Sequence, residues 1–105
     1  MGKPADRLKT QALEFLRRAG VYCWPTPTGC TRIGNHYYRM TRGLADIMGI
    51  LADGRHIEVE VKAGADRIRP DQAEHAERVR VQGGVYLICR DVETLAAEYG
   101  RVAGV

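Results

Sequence analysis

The feature of this sequence that most constrains its fold is the unbroken alternation of apolar and charged residues between positions 57 and 62. A two-residue period is that of a β-strand, whose successive side chains point to opposite faces. One face of the predicted strand carries three apolar side chains, and the other carries Glu58, Glu60 and Lys62. A carboxylate and an ammonium group two residues apart on a strand lie side by side. The carboxylate can bind a cation while the ammonium group points at the ligand of that cation.

A second apolar run, residues 43–52, contains one acid, Asp46, and leads to this strand through Asp53-Gly54. Such a dipeptide between two apolar runs is a strong hairpin signal. A two-residue loop would place Asp46 opposite Val61 and turn it away from Glu60, because a one-residue shift moves every side chain to the other face.

A three-residue loop, residues 52–54 with Gly54 left-handed, would instead place Asp46 directly opposite Glu60. Hydrophobicity does not choose between the loops, since residues 47–51 are apolar towards both faces. A shared metal ion does choose, because both carboxylates must reach it, at about 2.0–2.1 Å for magnesium. We therefore predict the three-residue loop, or a bulge near Asp46 with the same effect.

The size and composition of the chain indicate one globular domain. A chain of 105 residues with 45% apolar and 28% charged residues has room for a single modest core. No apolar run approaches the roughly 20 residues of a membrane helix, and residues 1–6 lack the apolar stretch of a signal peptide. We expect a cytoplasmic protein without a membrane partner. Three cysteines without paired spacing argue against a zinc cluster or a disulfide framework, and Cys23 and Cys89 are predicted to be buried thiols.

The remaining patterns predict the other elements of an α/β domain. The predicted helices cover residues 5–19, 70 to before the glycines at 83–84, and 92–99; the further strands cover 21–24, part of 28–42 and 85–89. The order is α-β-(β)-β-β-α-β-α, which indicates a mixed sheet flanked by helices. The fully apolar run 85–89 is expected at the centre of the sheet, and residues 101–105 as a frayed tail.

The second of these helices begins near Pro70, a favoured first helical position. Its predicted inward stripe consists of Gln72, Ala76 and Val79, flanked by Ala73. A glutamine on the inward face near a helix start has two interpretations: it serves a site, or it caps a loop while partly buried.

The excess positive charge is concentrated in one segment. The net charge is +3, and residues 25–45 contain three arginines and no acid. The other 13 of the 16 basic residues are matched by the 13 acidic ones, so this segment holds all of the excess. It is either a solvated loop with an edge strand or a nucleic-acid-binding surface. In the second interpretation, its arginines contact phosphates and its aromatic residues stack or donate hydrogen bonds. The candidate contacts are Arg32, His36, Tyr37, Tyr38, Arg39 and Arg42.

The acidic residues suit metal-dependent hydrolysis of a phosphodiester. Mg²⁺ or Mn²⁺ stabilises charge at the phosphate and provides a hydroxide when one or two carboxylates hold it and leave coordination positions open. Asp46 and Glu60 are the predicted side-chain ligands, and the Val61 carbonyl is a natural third. Lys62 would orient or deprotonate the attacking water. Glu58 could hold a second ion or be exposed.

Together these residues resemble a known family. The motifs are Gly43-Leu44-Ala45-Asp46, Glu60-Val61-Lys62, Gln72 and Gly83-Gly84-Val85-Tyr86. They are similar to the PD-(D/E)XK nuclease superfamily, and most similar to its virus-type replication-repair nuclease (VRR-NUC) family, over nearly the whole chain. The resemblance implies a Mg²⁺- or Mn²⁺-dependent DNA endonuclease with Asp46, Glu60 and Lys62 in these roles and Gln72 near the site.

The resemblance also implies similarity to Holliday-junction resolvases, a branched or junction DNA substrate, a homodimer, and a phage-infected or bacterial host cell. Ala45 stands where the superfamily has its namesake proline, and the acid that the family often carries early in the first helix has only Asp6 as a candidate; Glu14 is expected to be solvated. The alternative function is a non-catalytic nucleic-acid-binding or assembly module that keeps the nuclease fold.

Overall fold

Three helices and six strands make up residues 3–103, the part of the chain that this computed structural model describes. The helices are α1 (Pro4–Arg18), α2 (Pro70–Val81) and α3 (Val92–Ala103). The strands are β1 (Tyr22–Pro25), β2 (Cys30–Ile33), β3 (His36–Arg39), β4 (Ile47–Ile50), β5 (His56–Val61) and β6 (Val85–Cys89).

Four of the strands form a mixed sheet in the order β1-β4-β5-β6. The pairs β1–β4 and β4–β5 are antiparallel, and β5–β6 is parallel. A parallel pair needs a long crossover connection, and α2 lies within it. The predicted α/β domain with a mixed sheet and three helices is therefore confirmed. None of the helices within residues 3–103 combines the length and the apolar character needed to cross a membrane.

The register between β4 and β5 agrees with the predicted three-residue loop. Ile47 pairs with Val59, and the same register continued by one residue sets Asp46 opposite Glu60. At the loop, the N–H of Leu51 donates to the Arg55 carbonyl at 2.8 Å. Gly54 has a φ of 92°, the left-handed conformation that the predicted loop requires. Asp46 and Glu60 therefore belong to the same face of the sheet.

Strand β6, predicted at the centre of the sheet, lies at its edge. Three of its residues are buried in the main core with Leu95 of α3, and Tyr86 packs with Ala76 of α2 on the other face. Because helices cover both faces of this edge strand, its sequence is apolar throughout, as in a central strand. The unbroken apolar run therefore indicated that both faces of β6 are buried. It did not indicate whether the strand lies at the centre or at the edge of the sheet.

Strands β2 and β3 form a separate two-stranded sheet, where the sequence predicted at most one edge strand. Every residue of both strands is exposed. The hairpin has no apolar face to bury against the domain, so the hydrophobic pattern of residues 28–42 gave no signal for a pair of strands.

Residues 101–103, predicted to be part of a frayed tail, continue α3. Val102 packs against the main core, and its carbonyl accepts a hydrogen bond from Arg55 Nη2 at 3.0 Å. At the other end of α3, Asp91 Oδ1 accepts the N–H of Thr94 at 2.7 Å, as expected for a cap. Residues 104 and 105 lie outside the described residues.

The predicted inward stripe of α2 is confirmed in part. Gln72 and Ala76 are buried and Val79 is half-buried, whereas Ala73 is exposed. α2 therefore packs against β5 and β6 through a narrow stripe of residues that includes Gln72. The Gln72 amide thereby reaches the sheet face that carries the charged residues of β5.

The three cysteines should differ in reactivity. Cys23 and Cys89 are buried as predicted, and Cys30 is exposed. Burial raises the pKa of the Cys23 thiol, and burial together with the Asp91 charge raises the pKa of Cys89 to about 11. Below these pKa values the unreactive thiol form dominates.

At pH 8 we expect one thiol of the folded protein to react quickly with a disulfide reagent. In denaturant, all three thiols should react quickly. Equal reaction rates for all three thiols before unfolding would contradict this prediction.

Candidate functional site

The four side chains predicted to be catalytic come together where β4, β5 and α2 meet. Asp46 Oδ2 accepts the Val61 N–H at 2.8 Å. Lys62 Nζ lies 3.2 Å from Glu60 Oε2, and Gln72 Nε2 donates to the same oxygen at 2.5 Å. Gln72 also accepts the Arg69 N–H at 3.0 Å, so it both caps α2 and contacts the site. The capping interpretation of this glutamine is therefore confirmed, and its service to a functional site stays a prediction that the Glu60 contact supports.

Glu60 is a buried carboxylate with a second carboxylate facing it. Only 5% of the surface of Glu60 is exposed. Burial, followed by the negative charge of Asp46, raises the pKa of Glu60, while Lys62 acts in the opposite direction. Two carboxylates held together at the cost of mutual repulsion fit a bound cation, which would remove that repulsion.

A backbone oxygen is also available on the Asp46 side of β5. Within an extended strand, the N–H and C=O of one residue point to the same side. The Val61 N–H points at Asp46, so its carbonyl lies on that side too. Within residues 3–103 no group of three or more His, Cys, Asp and Glu side chains has an arrangement that could hold a metal ion. Two carboxylates, the Val61 carbonyl and water would make an oxygen donor set of the kind that Mg²⁺ or Mn²⁺ prefers.

Two basic residues near Asp46 were missed by sequence reasoning. Lys9 Nζ lies 3.6 Å from Asp46 Oδ1, and Lys9, Asp46 and Arg69 line a cavity of about 300 Å³. This cavity reaches the base of the β2–β3 hairpin at Gly29 and Met40. A signal for Lys9 did exist, since it lies three and seven residues before the two buried residues of α1.

The first-helix acids do not join this cavity. Asp6 lies in the first turn of α1, and both Asp6 and Glu14 are exposed. They line a different, shallow cavity together with Arg7, Thr10 and Gln11. The exposure of Glu14 agrees with the prediction, and Asp6 has no contact with Asp46 or Glu60 among the described hydrogen bonds and ion pairs.

The predicted nucleic-acid contacts are all exposed, and the hairpin separates them onto two faces. Arg32 pairs with Tyr37 across the strands, and the Arg32 Cζ lies 5.8 Å from the Tyr37 ring centroid. Arg39, two residues beyond Tyr37, shares this face, whereas His36 and Tyr38 lie on the other. The tyrosines that looked interchangeable in the sequence are therefore not equivalent.

The last of these contacts, Arg42, lies beyond the hairpin. It lines a cavity of about 390 Å³ with the first turn of α2, at Pro70 and Asp71. Arg42 therefore stands between the hairpin and the helix that carries Gln72, closer to the domain body than the arginines of the strands.

Glu58 is neither exposed nor free, which corrects one of the two expectations for it. It is 1% exposed and accepts hydrogen bonds from the Ala45 N–H at 3.0 Å, His56 Nε2 at 2.7 Å and His75 Nε2 at 2.9 Å. Burial alone raises the pKa of Glu58, but these hydrogen bonds outweigh it and leave the pKa below its ordinary value. Its oxygens already have three donors, which leaves little capacity for a second ion.

Sequence reasoning missed both histidines of this cluster, although each carried a signal. His56 precedes Glu58 by two residues on an alternating strand, so the two share a face. His75 lies three residues after Gln72 on α2, so both face the sheet. A cavity of about 740 Å³ opens beside His56 and His75, and Asp46 does not line it.

Comparison with known proteins adds no relative: no protein-family model matches the chain, and neither does any curated protein.

The approach to Asp46 depends on the close packing of Gly43 against α2. Gly43 has a φ of 81°, and a Cβ there would overlap the Asp71 carbonyl oxygen and lie 2.8 Å from His75 Cβ. We expect Gly43→Ala to lower the free energy of unfolding by about 3 kcal/mol. The loss has two causes, because alanine is strained at this left-handed φ and its Cβ overlaps the backbone of α2. Urea denaturation measures this loss.

Gly64→Ala is the matched control for that change. Gly64 also has a positive φ, 59°, but nothing lies within 4 Å of a Cβ built on it. Only the backbone term remains there, so we expect a loss of about 1 kcal/mol. Equal losses in the two variants would show that Gly43 is not packed as described.

Proposed function

We propose that this protein is a metal-dependent endonuclease that hydrolyses DNA phosphodiester bonds. The observation that carries the proposal is the register that sets Asp46 opposite Glu60, with Lys62 Nζ 3.2 Å from the Glu60 carboxylate. A domain needing only affinity for nucleic acid has no use for two acids facing each other beside a binding surface. The same arrangement supports membership of the PD-(D/E)XK superfamily and of its VRR-NUC family.

Asp46, Glu60 and the Val61 carbonyl would hold the Mg²⁺ or Mn²⁺ ion. The bound ion supplies charge stabilisation at the scissile phosphate and a hydroxide at neutral pH. Gln72 keeps Glu60 in one orientation through its hydrogen bond, so the carboxylate needs no reorganisation during the reaction. As an ammonium group, Lys62 would orient the attacking water and offset the negative charge of the phosphate. To take the proton of that water it would have to be in its neutral amine form.

The DNA would reach this site along the basic segment. The cavity that contains Asp46, Lys9 and Arg69 continues to the base of the hairpin, whose arginines have no acid nearby in the sequence. Phosphate contacts by Lys9 and Arg69 would fix the scissile strand, and the hairpin would contact DNA further out. An exposed arm of this kind suits a substrate recognised by its shape, such as branched or junction DNA.

A homodimer completes the proposal. A four-way junction has two symmetric strands to cut, and one domain of this size contains one Asp46–Glu60 pair. A two-fold dimer would present two such sites. The expectation of a homodimer comes from the resemblance to the nuclease family and from the symmetry of a junction substrate.

Asp46→Asn and Lys62→Ala should each lower the cleavage rate by about 10²–10³, because each removes an electrostatic contact to the transition state. The assay is cleavage of a panel of flap, splayed, duplex and four-way DNA with Mg²⁺ or Mn²⁺. Asp66→Asn is the matched control, since Asp66 is exposed in the loop after Lys62. Wild-type rates in either site variant would refute the assignment, and binding without any cleavage by the wild type would favour a non-catalytic module.

Arg39→Ala with Arg42→Ala should weaken DNA binding and flatten its dependence on salt. Each lost phosphate contact lowers the slope of log K against log salt by about 0.9 for duplex DNA. The control is the double variant Arg18→Ala with Arg101→Ala, which removes two exposed arginines from α1 and α3. An unchanged slope in the first double variant would place the DNA surface elsewhere.

A further inference from the structure

The backbone just before and at Asp46 is held from both sides. On one side, Thr26 Oγ1 donates to the Ala45 carbonyl at 2.5 Å, and the Thr26 N–H donates to the Asp46 carbonyl at 2.9 Å. On the other side, the Ala45 N–H donates to Glu58 Oε1 at 3.0 Å. The position of the Asp46 carboxylate therefore depends on a side chain that the proposed chemistry does not use.

Glu58 has an environment that an ordinary core residue does not need. It is 1% exposed, and a buried carboxylate is costly unless it is paired; apolar residues of similar volume often serve stability better. His75 Nε2 lies 2.9 Å from Glu58 Oε1 and 3.0 Å from Oε2. These two contacts form a clamp, in which a side chain of α2 holds both oxygens of the Glu58 carboxylate. His56 adds a contact from the same strand at 2.7 Å.

The clamp extends to the residues preceding Ala45. The Tyr86 hydroxyl donates to the Gly43 carbonyl at 3.4 Å. The Tyr86 ring meets His75 edge-on, with centroids 6.0 Å apart. Gly43 itself packs against the backbone of α2. The segment that delivers Asp46 is thus docked onto α2 and β6 through a connected set of polar and aromatic contacts.

We propose that Glu58, oriented by His75, is a positioning residue that holds Asp46 opposite Glu60 through the Ala45 N–H. The inference rests on the proposed function for its consequence, since Asp46 is there a metal ligand. Glu58 itself does not touch the metal or the DNA. Loss of the Ala45 hydrogen bond lets the Asp46 backbone move, so it weakens metal binding while leaving the groups that carry out the chemistry in place.

The structural half of the inference is tested without any assay of activity. Glu58→Met removes the acceptor with little change in volume, and Glu58→Gln keeps one acceptor oxygen. By amide hydrogen exchange in the folded protein, we expect Glu58→Met to speed exchange at Ala45 and Val61 about tenfold, the typical effect of one lost charge-assisted hydrogen bond. Glu58→Gln should restore most of the protection.

The amide of Tyr99 serves as the internal control, because Tyr99 is a buried residue of α3 and shares no described hydrogen bond or ion pair with Glu58. Unchanged protection of Ala45 in Glu58→Met would overturn the proposal. Equal losses at Ala45, Val61 and Tyr99 would overturn it as well, since they would mark Glu58 as a general stabiliser of the fold.

The functional half uses a titration of cleavage with Mn²⁺. We expect Glu58→Met to raise the Mn²⁺ concentration for half-maximal rate about tenfold and to recover at least half of the wild-type rate at saturation. A rate that stays low at every Mn²⁺ concentration would overturn the positioning role. If the wild type does not cleave DNA at all, the proposed function fails, while the exchange experiment still decides whether Glu58 holds Asp46.

Two histidine variants keep the test decisive if Glu58→Met does not fold. His75→Leu removes the donor from α2 and should produce the same pattern at about threefold. His56→Leu removes a partner that ties Glu58 to no other element, and should have a smaller effect on both measurements. Protection of Ala45 unchanged in His75→Leu, or a larger effect from His56→Leu, would contradict the assignment of the clamp to His75.

Discussion

The pairing of β4 with β5 is the constraint on which the rest of this domain depends. The three-residue loop closed by Gly54 sets Asp46 opposite Glu60, and a loop shorter by one residue would turn Asp46 to the other face. The two strands lie at the centre of the sheet between β1 and β6, and α2 packs over the face that carries the charges. A single left-handed glycine in an exposed turn thereby determines which side chains can meet at the site.

The charged face of β5 comes at a cost in stability that the surrounding groups offset. Glu58, Glu60 and Lys62 are all at least nine-tenths buried, although such residues are almost never buried without partners. Each has one: Glu58 has two histidines and a backbone N–H, and Glu60 has Lys62 and Gln72. No buried side-chain polar atom in the described part of the chain lacks a hydrogen-bond partner. The remaining repulsion between Asp46 and Glu60 is the feature that folding alone does not require, and a cation at this position would relieve it.

The domain separates a rigid site from an exposed arm. Glu58 and Glu60 lie on the buried strand β5, and Asp46 lies immediately before β4. The β2–β3 hairpin, in contrast, extends without buried residues. Exact placement matters for groups that hold a cation, because metal coordination tolerates only small displacements. Contacts with phosphates tolerate more, since the charge of an exposed arginine acts over a Debye length of about 8–10 Å. The difference in burial between the two parts therefore matches the difference in what each is proposed to do.

The sequence by itself determined the fold class and the alternating strand, because these depend on local periodicity. Its apolar pattern left the side of Asp46 open, and only the requirement of a shared metal ion chose the loop that sets Asp46 opposite Glu60. The sequence did not determine the edge position of β6, since burial of both faces looks the same at an edge covered by helices. It did not reveal the separate β2–β3 hairpin, which has no hydrophobic pattern to report it. Only the tertiary structure showed that Lys9, His56 and His75 converge on Asp46 and Glu58. The period of each segment indicates which face a residue belongs to, but contacts between distant segments arise from packing, so neither segment alone indicates its partner.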